Sequence, residues 1–460
     1  MSCCSITCAK WTTLSLSVIL LILGIVTVIK WNSLFHYFEM KELAVASENT
    51  EGFKMWKETP IPMYMEVYIF NWTNPDKVEK YETIKPSFVE MGPYTFYEHH
   101  IRENVVFNDN DTLTYFNKRT WKFLPDQSVG TLDEKITVLN PIVAIVGNLI
   151  KDEHYLVKRA LNFFLEEKNE NIAVTKTIGD LLFNGYDDPL INIAMKLNMS
   201  KIHLPFKKFG WFVDRNGSAT YDGVYNMYTG NKDISKLGII TEWNYESQTS
   251  YYPDKCGLIN GTSGELWYPP HSSEEISIFA SDMCSNVKLH RNGSGYVHGI
   301  EGNCYEDLPT GVRNVSKCKF GAPAFISFPH FFLADPIYLN KVEGMRPDAS
   351  KHATKLLIEP NTGLPLKVYA AFQLNLLLEQ TEGIDVLSRI NTTMMPCFWF
   401  VQKAELSDDL ARLAKLMLMG GNLGTYTGYG FIGIGALLLL IYLIILKRSW
   451  RDSDQEKLIT

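Results

Sequence analysis

The 460-residue sequence contains no Cys-x-x-Cys, no HExxH, no GxSxG and no Walker-type glycine loop. It therefore lacks the usual signatures of a thiol redox site, a zinc protease, a serine hydrolase or a phosphate-binding loop. Excess positive charge is missing too: 44 Lys and Arg face 51 Asp and Glu, a formal charge of −7, which excludes a polybasic nucleic-acid binder. There is no internal repeat or low-complexity stretch, and a hydrophobic fraction of 46% with 13% aromatics excludes disorder and collagen. The adjacent acids Asp187-Asp188 and Glu274-Glu275 read as solvated turns, because neighbouring side chains diverge. The chain is read as a non-enzyme, with no cofactor and no metal.

What the sequence does have is two long uncharged runs, one at each end. Trp11 to Ile29 carries no charge and lies between Lys10 and Lys30. At about 1.5 Å per residue it reaches roughly 28 Å, the thickness of a bilayer core. The run is long, and Val28-Ile29-Lys30-Trp31 offers no small-residue cleavage site, so it reads as an uncleaved signal anchor. Leu416 to Leu446 is likewise uncharged, and Lys447, Arg448 and Arg451 follow it, which places the C-terminal tail in the cytosol.

Acceptor tripeptides Asn-x-Ser/Thr occur at Asn71, Asn110, Asn198, Asn216, Asn260, Asn292, Asn314 and Asn391, all between the runs. They point to a glycosylated luminal or extracellular loop with both termini cytosolic. The reading is a cytosolic tail over 1–10, a transmembrane helix over 11–30, a glycosylated domain over 31–425, a second transmembrane helix over 426–446 and a cytosolic tail over 447–460. The first 30 residues carry +2 and residues 426–460 carry +1, which leaves −10 on the loop. Its overall field will not attract anionic ligands.

Cysteines divide the same way. Cys3, Cys4 and Cys8 lie on the cytosolic side beside the membrane, where palmitoylation is the candidate modification. Cys256, Cys284, Cys304, Cys318 and Cys397 lie in the oxidising compartment, and the odd count leaves one over. Cys397, between Pro396 and Phe398-Trp399-Phe400, reads as an inert thiol in a buried strand.

Period-two alternation over Met63–Trp72, Thr112–Phe123, Ile276–Ala280 and Leu366–Leu374 predicts an antiparallel β-rich domain. Asn140 to Lys168 has helical spacing and opens with Asn-Pro, an N-cap and first-turn signature. With Thr177–Phe183 as a helical partner it predicts a helical cap over about 140–183. Ser407–Met419 predicts a further helix ending at Gly420-Gly421. Gly420, Gly424 and Gly428 fall at i, i+4, i+8, a spacing that permits close helix packing, so a homo-oligomer is among the open partners. Thr427-Gly428-Tyr429-Gly430 has the letters of a potassium filter but abuts the span itself, without a separating pore loop.

The tail reads Asp454-Gln-Glu-Lys-Leu458-Ile459-Thr, an acidic dileucine pattern. A clathrin adaptor would read it as an extended peptide offering one carboxylate and two aliphatic side chains.

In order along the chain come Pro60-Ile61-Pro62, Phe70-Asn71-Trp72-Thr73-Asn74, Glu90-Met91-Gly92-Pro93-Tyr94, Asp222-Gly223-Val224-Tyr225 and Ile234-Ser235-Lys236. There follow Cys256 with Ile259-Asn260-Gly261-Thr262, then Ser316-Lys317-Cys318, Ser327-Phe328-Pro329-His330-Phe331, and Ile358-Glu359-Pro360 with Thr362-Gly363. With this layout the sequence resembles the class B scavenger receptor family, the group of platelet glycoprotein IV and lysosomal integral membrane protein type II.

The resemblance implies an antiparallel β-barrel with an apolar tunnel and a helical-bundle cap. It implies lipid or lipoprotein ligands, protein cargo at the cap, and a plasma-membrane or lysosomal-membrane location. It also implies disulfides Cys284–Cys318 and Cys256–Cys304, although only 19 residues separate Cys284 from Cys304, closer than the family pattern. Members pass lipid through the tunnel, which spares each CH₂ about 0.8 kcal/mol of exposure to water. The cap carries five bases against six acids from Lys151 to Asp180, so it is no cationic trap. His154, between Glu153 and Tyr155, is its candidate pH-sensitive residue. A two-span ligand-gated ion channel and a structural adhesion protein are the competing readings.

Overall fold

The computed structural model describes residues 2–192, 207–269, 273–307 and 311–459; the side chains of 2–9, 302–307 and 452–459 lie outside the description. The chain divides into two units, Met1–Ala44 with Asp408–Thr460, and Val45–Ser407.

The first unit is a pair of apolar helices, α1 (Ser2–Leu43) and the C-terminal helix Asp408–Ile459. At 42 and 52 residues they extend about 63 and 78 Å, well beyond a bilayer core. The break expected after Met419 is absent, and one continuous helix runs through Gly420-Gly421. The reason is packing. Phe35 covers Gly420, Trp31 covers Gly424, and Gly24 with Val28 meets Gly428. Trp31 Nε1 donates to the Gly420 carbonyl at 3.0 Å, and Ser17 Oγ to that of Gly435 at 2.9 Å. The glycine stripe thus joins the two helices of one chain. The C-terminal helix continues through the backbone of Asp454, Leu458 and Ile459, where the adaptor reading takes an extended peptide. The backbone of Cys3, Cys4 and Cys8 belongs to α1.

The second unit is β-rich. Its strands are β1 (Met63–Trp72), β2 (Phe88–Phe107), β3 (Thr112–Phe123), β4 (Lys135–Leu139), β5 (Ala173–Thr177), β6 (Val224–Tyr228), β7 (Ile240–Trp243) and β8 (Glu275–Ala280). β9 (Ser285–Val297), β10 (Ile300–Asp307), β11 (Val312–Asn314), β12 (Ala324–Ser327), β13 (Lys355–Ile358), β14 (Pro365–Leu378) and β15 (Thr393–Glu405) complete the set. Thirteen of them form one sheet in the order β7-β6-β3-β2-β1-β15-β14-β13-β10-β9-β8, with β12 on β14 and β11 on β12. β4 and β5 pair separately.

β1 lies between β2 and β15, with Val67 opposite Tyr94 on one side and Phe400 on the other. The β1–β2 register slips by one residue at Tyr68, beside Gly92, which adopts φ +136. A side chain at Gly92 would press on the Val67 carbonyl, which gives Glu90–Tyr94 a structural reason for its glycine.

Short helices α2 (Glu51–Lys57) and α3 (Pro75–Lys80) flank the sheet, and α4 (Pro141–Ile150) and α5 (Tyr155–Lys168) lie between β4 and β5 in the chain. The single helix expected over Asn140–Lys168 is therefore two. Asn140 caps α4 by accepting from Ile142 and Val143 N–H, as its Asn-Pro signature predicts. The chain turns at Lys151–Glu153, and His154 caps a new helix by accepting from Leu156 N–H at 3.3 Å. α4 is apolar and buried along most of its length whereas α5 is amphipathic, so one straight helix cannot serve both environments. The helical partner expected over Thr177–Phe183 is present in shortened form: Thr177 ends β5, and the π-helix Asp180–Asn184 follows.

Candidate functional site

α5 is fastened by polar side chains as well as by Leu165 in the core, with Leu161 and Phe164 packed against it, and leaves Tyr155, Leu156 and Phe163 outward. Arg159 pairs with Asp385 at 2.9 Å, and buried Asn162 donates to the Asp385 carboxylate at 3.1 Å and accepts from its backbone N–H at 2.6 Å. Lys151 pairs with Glu379 at 2.6 Å at the turn before the helix. Asn169 ends α5 in the left-handed conformation at φ 52. So anchored, the helix presents Leu156 and Phe163 about 70% exposed, with Tyr155 59% exposed beside them. Amphipathic helices ordinarily bury such residues, and an exposed apolar ridge marks a contact surface. Of the five bases from Lys151 to Asp180, Lys151, Arg159 and Lys168 are in ion pairs.

One face of the sheet is aromatic. Phe96 meets Phe123 at 5.4 Å and Phe183 at 4.9 Å, Phe183 meets Phe212 at 5.3 Å, and Phe212 meets Phe398 at 5.9 Å. Phe372 and Phe400 pair across β14 and β15 on this same face. Phe123, Phe183, Phe372 and Phe400 pack on the core while keeping part of their surface open.

Further along β2 the same face becomes ionic. Glu98, His100 and Arg102 alternate inward and are all buried. His100 Nε2 lies 2.6 Å from Glu98, and its Nδ1 lies 3.1 Å from Glu265. Arg102 pairs with Glu265 and lies over the Trp56 ring at 5.5 Å. Gln402 of β15 donates to both Glu98 oxygens at 3.1 Å. Burial opposes the Glu98 charge, but His100, Arg119 and Gln402 outweigh it and hold the carboxyl at about 2.

The ionic belt continues through Arg119 to Asp222 at 3.1 Å, Asp222 to Arg215 at 2.8 Å, and Arg215 to Asp282 at 3.0 Å. Asp282 lies beside the disulfide Cys284–Cys318, with Lys319 3.9 Å away on the other half of the bridge. Burial opposes the Asp282 charge, and Arg215 with Lys319 outweighs it, so the carboxyl stays well below the ordinary range. Sequence reasoning missed this belt; the one available signal was the charged alternation Glu98-x-His100-x-Arg102 inside a strand.

The implied pair Cys284–Cys318 is formed, with Cα atoms 6.1 Å apart. Cys256 carries an exposed free thiol, and the side chain of Cys304, its implied partner, lies outside the described residues. Cys256 sits on the turn Asp254–Gly257, displaced toward solvent. Cys397 is buried and free, and burial pushes its thiol up to about 12.

Of the acceptor asparagines, Asn110, Asn216, Asn260, Asn292, Asn314 and Asn391 are exposed; Asn198 lies outside the described residues. Asn71 is half-buried and accepts from Thr137 N–H at 3.1 Å, facing β4 rather than solvent. Asp188, read as a solvated turn, is buried and caps the following turn through Leu190 N–H at 2.8 Å. Glu274 and Glu275 are exposed as expected.

A β-rich domain in a chain that also carries two helices long and apolar enough to cross a membrane has the layout of a membrane-anchored protein. The CD36 family sequence model matches residues 15–307 and 301–446, and the chain belongs to that family. It is 33% identical to Scavenger receptor class B member 1 of Cricetulus griseus over 96% of this chain and 90% of that one. It is 30% identical to Lysosome membrane protein 2 of Homo sapiens over 89% of each chain, and 30% identical to Protein peste of Drosophila melanogaster over 91% of this chain and 80% of that one.

Proposed function

We propose that this chain is a scavenger-type receptor that takes lipid, lipoprotein or protein cargo on α5 and passes lipid through the interior of the β-rich domain toward the membrane. The observation that carries the reading is the ridge of Tyr155, Leu156 and Phe163, held rigid from below yet left open. The partly open phenylalanines beneath it supply an apolar surface for an acyl chain. Gly261–Ser263 supports closure of the sheet into a barrel, since Gly261 O accepts from Ile240 N–H, and Thr262 bonds Ser277 and Phe279 of β8.

Both tails are cytosolic in this reading. Asp454, Leu458 and Ile459 engage a clathrin adaptor once the helix end unwinds, and the receptor cycles between the plasma membrane and the lysosomal membrane. Cys3, Cys4 and Cys8 hold the N-terminal tail by palmitoylation.

The test is binding of labelled low-density lipoprotein to cells displaying the full chain. Leu156→Asp with Phe163→Asp should lower binding at least tenfold at equal surface display, as hot-spot truncations do. Unchanged binding would overturn the ridge as the ligand surface.

A further inference from the structure

The motif Ser327-Phe328-Pro329-His330-Phe331 has no task in the receptor reading, yet its backbone is constrained. Three non-glycine residues there, His330, Phe331 and Leu333, adopt φ between 55 and 59. Such backbone persists only where the surroundings over-determine it.

What holds it is a pair of stacked imidazoles. The His330 and His352 rings lie 4.6 Å apart at 16°. Each accepts a backbone N–H through Nδ1: His330 from Arg346 at 3.0 Å, His352 from Asp348 at 2.9 Å. An accepting Nδ1 is unprotonated, so both rings are neutral with the proton on Nε2. His330 Nε2–H then donates to Glu90 at 2.6 Å, and Trp399 Nε1–H donates to the same oxygen at 2.7 Å. His330 N–H is taken by buried Gln373 at 2.6 Å. Under the clasp, Trp399 stacks on Tyr68 at 3.9 Å, and Phe70 meets His330 edge-on at 5.2 Å.

The charged and titratable surroundings are Glu90 from β2, Glu66 and Tyr68 from β1, Lys403 from β15 and Tyr369 from β14. From the clasp itself come Arg346, Asp348 and Lys351. Lys403 is committed to Glu66 at 2.6 Å, and Glu90 is the carboxylate at the rings. Burial pushes Glu90 up, but the hydrogen bonds from His330 and Trp399 outweigh it and keep it ionised. One carboxylate can balance one imidazolium, not two.

We propose that Phe328–His352 is an acid-released clasp: protonation of His352 deletes its hydrogen bond from Asp348 N–H, sets an imidazolium against the His330 ring, frees the strained turn and uncovers Tyr68, Phe70 and Trp399. Burial brings His352 down to about 4. With about 6.5 for an open, solvated histidine, the opening equilibrium rises roughly 60-fold between pH 7 and pH 4.5.

Hydrogen exchange of the full chain in detergent, corrected for the intrinsic rate at each pH, tests this. Peptides covering 328–352 should lose protection by tens of fold at pH 4.5 relative to pH 7, while β1 and β15 keep theirs. His352→Gln retains an acceptor but cannot titrate, and should remove the pH dependence. His352→Phe keeps the stack without acceptor or titration, so its protection should be lower and equal at both pH values. Equal protection of the natural chain at both pH values, or a pH-dependent loss that persists in His352→Gln or His352→Phe, overturns the proposal.

Discussion

Trp31 of α1 lies across Gly424 of the C-terminal helix, so that a side chain at position 424 would overlap the indole. The contact explains why glycines at helical spacing sit in a run otherwise fit for lipid. Small residues let helices approach where water supplies no hydrophobic drive. Val28 likewise meets Gly428. Cysteines introduced by Val28→Cys with Gly428→Cys should crosslink within one chain, giving a monomer band of changed mobility on gels. Crosslinked dimers instead would assign the stripe to contacts between copies.

Buried Arg215 stands between buried Asp222 and the partly exposed Asp282. Removing one partner of a buried ionic set costs about 3–5 kcal/mol, because the other charges stay unpaired. Arg215→Ala should lower the denaturant midpoint strongly, whereas Lys236→Ala, at an exposed pair with Asp233, should shift it hardly at all. Equal midpoints for the two variants would contradict a structural belt.

Glu98 supplies a pH dependence whose sign can be worked out. Its carboxyl sits at about 2 in the fold against 4.5 for the free group. The folded state therefore favours the ionised form, a contribution of about 3 kcal/mol that is complete above pH 4.5 and disappears as the pH falls toward 2. Acid denaturation of the natural chain should steepen below pH 4.5, and Glu98→Gln should flatten that limb while lowering stability at neutral pH.

His154 accepts from Leu156 N–H as the N-cap of α5, which only an unprotonated Nδ1 can do. A cap of this kind is worth about 0.5–2 kcal/mol. His154→Ala should therefore lower hydrogen-exchange protection at the start of α5, and His154→Asn, a good cap, should keep it; equal protection in the two variants would remove His154 as the cap.

Thiol labelling separates the cysteines. Maleimide should modify Cys256 in the native protein and Cys397 only after unfolding, since Cys397 is buried and its thiol is pushed up to about 12. Absence of native labelling at Cys256 would restore the bond to Cys304.

The parts legible in the sequence are those where one chemical requirement acts over a whole element. The apolar runs of α1 and the C-terminal helix announce themselves because lipid tolerates no charge, and β1 and β3 were readable from period-two alternation to their ends. β2 was not, because its inward positions 98, 100 and 102 carry the charges of the belt, and alternation of hydrophobicity cannot reveal a strand whose interior face is ionic. The break before α5 was invisible because the cap is a histidine side chain rather than a proline or glycine. The clasp joins residues 90, 330, 352 and 399, a proximity that only the sheet order creates.

The most direct test of the receptor account is mass spectrometry of lipid co-purifying with the full-length glycosylated protein, compared with Phe372→Arg, which places a charge on the aromatic face. The account predicts acyl-chain lipid near one or more per natural chain and a several-fold loss in the variant. Lipid no higher in the natural protein than in Phe372→Arg would contradict passage through the interior.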